Sequence, residues 1–183
     1  MVDGYVLSYQ EHKIKPYKGD KGMNIEKLIE DFVNLKIDLI DYLLKLEHLE
    51  ITNKGEFQNF IINYKETTKM DEKMNALLIL WFCKYELFKD IQYDSNPYLL
   101  YINDLTKDIK HIDLEFLEVG KHNLITKIDN FYFIINHNTR EINMTLPPEL
   151  QEKTVFCYNC NDEMILEKEL LLPEFSFYAL CIE

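Results

Sequence analysis

From Asn24 onward, apolar residues recur at steps of three and four: Ile25, Leu28, Ile29, Phe32, Leu35, Leu39, Leu43 and Leu46. That spacing predicts one helix, N-capped by Asn24 and running to about residue 48. Ile37, Ile40 and Leu44 widen the stripe, so this helix is expected to pack on more than one neighbour. Thr52-Asn53-Lys54-Gly55 ends it. Phe57, Phe60, Ile61 and Tyr64 then predict a short second helix. Met70, Met74, Leu77, Leu78, Trp81, Tyr85 and Phe88 predict a third, with Ile79 and Phe82 making it apolar nearly all round. Such a helix belongs in the middle of a bundle or beneath a sheet.

Near Pro97 the rhythm changes. Tyr98-Leu99-Leu100-Tyr101-Ile102 reads as a strand and residues 104–111 as a helical turn. Short β-runs follow at 113–119, 123–128, 131–136, 141–146, 154–158, 164–169 and 175–182, separated by turn-forming Gly, Pro, Asn and Asp. Turns every 8–12 residues or so are the mark of an antiparallel sandwich or barrel. Ile142, Met144 and Leu146 alternate with Glu141, Asn143 and Thr145, which sends one face to the core and the other to water. Residues 131–135 are uniformly apolar, and both alternating sets of 175–182 are apolar, so these two strands are expected to be central. The fold class is therefore α+β: a mainly helical region over 1–97, then an antiparallel β-sandwich of about seven strands over 98–183.

Composition narrows the partners. With 183 residues, 47% hydrophobic and 13% aromatic, the chain is neither disordered nor long enough for a complete (β/α)8 enzyme. Its net charge is −12, and its basic residues are lysines apart from Arg140. Nucleic acid and anionic membrane are poor partners for such a surface; a carbohydrate or a basic protein fits better. The opening residues carry no basic n-region ahead of an apolar core, and the longest apolar run, 76–83, is far short of the roughly 20 residues of a membrane span. A cytoplasmic location is the expectation.

No established chemistry emerges from the motifs. G-x-S-x-G, G-x-G-x-x-G and H-E-x-x-H are absent, and His12, His48, His111, His122 and His137 share no ligand spacing. The lysine-rich loop at 12–22 lacks the phosphate-loop pattern. Cys157-Tyr158-Asn159-Cys160 is a C-x-x-C, but a zinc knuckle needs a second pair and a redox motif needs a helix N-terminus. Its flanks read as a strand entering a turn, which predicts reduced, partly buried thiols. No catalytic residue, metal site or cofactor is implied.

The stretch from about Phe116 to Glu183 resembles the C-terminal antiparallel β-domain that follows the catalytic barrel in α-amylase-type glycoside hydrolases. The resemblance rests on four segments: Phe131-Tyr132-Phe133-Ile134-Ile135-Asn136, Thr145-Leu146-Pro147, Val155-Phe156-Cys157-Tyr158-Asn159, and Leu171-Leu172-Pro173-Glu174-Phe175-Ser176-Phe177-Tyr178-Ala179-Leu180. It implies a non-catalytic accessory or remnant module, binding sugar or packing on a catalytic partner. Asp3-Gly4-Tyr5 is similar to that family's nucleophile strand, but Val6-Leu7-Ser8-Tyr9 stands where its Arg and Asp belong, so no catalytic residue carries over. Tyr132, Tyr158 and Tyr178 are the candidates for stacking on sugar, provided they share an exposed sheet face. The alternative is an acidic interaction factor, of viral or mobile-element kind, that binds a basic protein. A third reading is an enzyme whose site the motifs do not reveal.

Overall fold

In the computed structural model, residues 24–64 and 68–182 are described. The expectations for 3–9 and for the lysine-rich loop at 12–22 lie outside them. The chain forms two compact units, the first ending at Asp104 and the second beginning at Leu105.

The first unit is helical. Asn24 caps α1 (Ile25–Val33), its side chain accepting from the Glu26 amide at 2.9 Å. The single long helix expected to residue 48 is two helices. Asn34 closes α1, Leu35 takes a left-handed φ of 59°, and Asp38 caps α2 (Leu39–His48) by accepting from Asp41 N–H at 2.8 Å. The turn folds α2 back so that the Phe32 and Tyr42 rings stack at 4.1 Å, and the Tyr42 hydroxyl donates to the Ala76 carbonyl at 2.9 Å. Asn53 starts α3 (Lys54–Ile62) by capping the Glu56 amide at 3.1 Å. α4 (Met70–Cys83) is the centre of the unit, as its all-round apolar surface requires, with Met74 to Phe82 buried. The expected third helix breaks at Lys84, and Tyr85–Phe88 forms a separate turn, α5.

Residues 97–106 correct the expected strand at 98–102: Pro97–Thr106 is a helix, α6. Pro97 occupies the first helical position, where its missing N–H is no loss. Tyr98, Leu99, Ile102 and Leu105 are buried while Leu100 and Tyr101 are exposed, a helical phase that an alternating strand cannot produce. Asn96, 1% exposed, joins two helices with one side chain. Its Nδ2 donates to the carbonyls of Ile61, Ile62 and Tyr64 at the end of α3, and its Oδ1 accepts from the Tyr98 amide in α6.

The second unit is a two-sheet antiparallel sandwich. Its strands are β1 (Leu114–Val119), β2 (Asn123–Ile128), β3 (Phe131–Asn136), β4 (Ile142–Thr145), β5 (Thr154–Cys157), β6 (Asp162–Ile165), β7 (Glu169–Leu172) and β8 (Phe177–Ile182). Six of them form one sheet in the order β1-β2-β3-β8-β5-β6, and β4 pairs with β7 in the other. The run expected at 164–169 is thus two strands, one in each sheet. Ile125, Tyr132, Ile134, Val155, Cys157 and Leu180 from the large sheet meet Met144 and Leu172 from the small one, and Leu146, Leu150 and Leu166 from the connections fill the remaining core. All six residues of β3 are buried, and β8 lies between β3 and β5, as uniform apolar character predicts.

Candidate functional site

Two asparagine clips tie the ends of β3 and β5 to the segment from Leu172 to Ala179. Asn136, fully buried at the end of β3, donates through Nδ2 to the carbonyls of Arg140 (3.0 Å), Leu172 (3.3 Å) and Pro173 (2.9 Å). Beside it the His137 ring meets Phe175 edge-on at 5.2 Å, and the Asn136 amide donates to the Ser176 carbonyl at 2.8 Å. Asn159 does similar work beyond β5. Its Nδ2 donates to the Phe177 carbonyl at 2.7 Å and its Oδ1 accepts from the Ala179 amide at 2.9 Å, so the side chain extends the β5–β8 pairing into the turn. These residues bind backbone, which is a structural task.

The three candidate tyrosines do not share a platform. Tyr132 is 2% exposed, a member of the core between the sheets, with Lys127 Nζ 5.5 Å from its ring centre. A ring so enclosed offers little face to a sugar. Tyr178, half-buried, packs against the same core from β8, and burial raises its phenol above the ordinary range. Tyr158 falls on the opposite face by the alternation of β5. Its ring is 5.2 Å from that of Phe131 and edge-on to Phe156 at 5.0 Å, and its hydroxyl donates to Asp108 at 3.4 Å.

The C-x-x-C lies where a strand enters a turn. Cys157 is buried, and that burial pushes its thiol up to about 12; its Sγ donates to Asn159 Oδ1 at 3.3 Å. Cys160 is exposed, and both are free thiols. Among the described residues no three of His, Cys, Asp and Glu converge as a metal site. A cleft of about 370 Å³ in the helical unit opens at the starts of α1 and α3. Glu26, Glu50 and Glu56 line it, and Asn24 and Asn53 each cap one amide of the two helix N-termini there.

The sandwich carries a further surface feature that sequence periodicity does not reveal. Ile165, at the end of β6, is 79% exposed and Leu171 on β7 is 52% exposed. A groove of about 560 Å³ beside β6 is lined by Ile165 and Leu166 together with Glu152, Glu167, Lys168 and Glu169. Leu166-Glu167-Lys168 links strands of different sheets without any of the usual turn residues, and periodicity that runs 164–169 together hides which side Ile165 faces.

No protein-family model matches the chain, and neither does any curated protein. Among solved structures it is similar to an alpha-amylase from Malbranchea cinnamomea, at 11% identity and a TM-score of 0.38 over 79% of this chain. The chain covers 33% of that amylase's length. No helix among the described residues is long and apolar enough to cross a membrane.

Proposed function

We propose that this chain is a non-catalytic interaction module, with a β-domain of the kind that accompanies α-amylase-type catalytic barrels, and that it docks on a basic protein. The exposed large apolar side chains of the sandwich carry this reading: Ile165 and Leu171 are aliphatic, whereas the tyrosines suited to sugar stacking are wholly or partly taken up in packing. Sugars need flat aromatic faces open to water; protein partners bury aliphatic anchors inside a polar rim. The net charge of −12 favours a basic partner and speeds its encounter. The accessory-domain half of the proposal rests on the sequence resemblance, whose motif asparagines, Asn136 and Asn159, hold β7 and β8 in place.

Affinity capture on the immobilised chain, washed at low and then high salt, tests the proposal. A discrete basic protein retained at low salt and released at high salt is the expected result. Recovery of only neutral proteins that survive high salt would overturn it. So would saturable heat on titration with maltodextrins at millimolar concentration.

A further inference from the structure

We propose that the open edge of β6, with the acidic groove beside it, binds an extended basic segment of a protein partner as an added strand; this rests on the reading of the chain as a docking module. β6 ends the order of the large sheet, and among the described residues it pairs with β5 alone. Leu166 N–H donates to the Lys153 carbonyl at 2.9 Å, which makes 153/166 a hydrogen-bonded pair. Antiparallel ladders alternate, so the N–H and C=O of the next residue, Ile165, turn away from β5 toward the free edge. Its side chain is also the most exposed of the large apolar residues among those described. One residue therefore presents unpaired backbone and an apolar anchor together, the two elements of strand addition.

Exposed sheet edges are normally guarded. The opposite edge, β1, has a bulge between Phe116 and Glu118. β6 is guarded by charge: Asp162 and Glu163 are exposed, and Asp162 Oδ1 occupies the Glu163 amide at 2.8 Å. Beside them the groove sets three glutamates against one lysine. This field repels a second copy of a chain that is itself at −12, and it attracts lysine or arginine. The occupant that fits is an extended segment with an aliphatic residue for Ile165 and cations for Glu152, Glu167 and Glu169.

The full chain, labelled with ¹⁵N, is titrated with a capped octapeptide of alternating Lys and Val, and separately with its Glu-Val counterpart. Shifts confined to 162–169 and slowed solvent exchange at the Ile165 amide are expected with Lys-Val only. Binding should weaken about fivefold or more between roughly 50 and 500 mM salt. It should also weaken about tenfold or more in Ile165→Asp and in Glu152→Lys/Glu167→Lys, all at exposed positions, with unchanged circular dichroism. Equal binding of Glu-Val, shifts scattered over the surface, or indifference to these variants would overturn the inference. Broadening of the same amides with protein concentration alone would assign the edge to a second copy instead. A captured basic partner that these variants still bind refutes this edge while sparing the docking-module reading; failure to capture any such partner refutes that reading itself.

Discussion

A buried carbonyl stripped of its donor costs about 1–3 kcal/mol, and Asn96 and Asn136 each serve three of them. Asn96→Ala and Asn136→Ala are each expected to lower stability by roughly 2–3 kcal/mol in urea unfolding. A loss below about 0.5 kcal/mol would mean water replaces the amide, and the clips would then be incidental. Leu35 presents the opposite case: its left-handed φ of 59° is one that a branched side chain resists, and its side chain is 36% exposed. Leu35→Gly should stabilise the protein by about 0.5–1 kcal/mol, read as a higher melting temperature. A lower one would show that Leu35 contributes more by packing than it loses to strain. Nothing in the sequence marked Leu35 for this role, because in periodicity it simply continues the α1 stripe.

The central β-strands are legible because apolar runs and the turns between them are local signals: β2 and β3 fall where their apolar character and the intervening Asp129-Asn130 turn put them. The misread elements are those decided by a cap. Tyr98 to Ile102 is aromatic and β-branched enough for a strand, and only the Asn96-Pro97 pair announces the start of α6. Asn34 and Asp38, likewise, break a stripe that periodicity alone runs on to residue 48. An alanine scan checks α6 directly. Leu99→Ala and Ile102→Ala should each cost about 2–4 kcal/mol, and Leu100→Ala and Tyr101→Ala less than about 1. Losses paired as 99 with 101 and 100 with 102 would restore the strand. The groove beside β6 was illegible for a related reason: which side Ile165 faces depends on a strand boundary at Leu166 that no turn residue marks.

For the molecule as a whole, burial pushes the thiols of Cys83 and Cys157 up to about 12, from an ordinary 9.0. The unfolded chain gives up these protons first, so their contribution is complete below pH 9 or so and is lost as pH climbs toward 12. Burial raises the Tyr42 phenol as well, in the same direction. Urea midpoints should therefore fall progressively through this window. Cys83→Ala/Cys157→Ala should start lower but decline less steeply, and parallel lines for the two proteins would acquit the thiols. The register of β8 has a further consequence. Its residues, up to Ile182, lie between β3 and β5, both far earlier in the chain. On the ribosome, the β5–β6 hairpin stands without its β8 neighbour until residues 177–182 have left the exit tunnel, so a chaperone that shields Val155 and Cys157 during this interval should raise the yield of native protein.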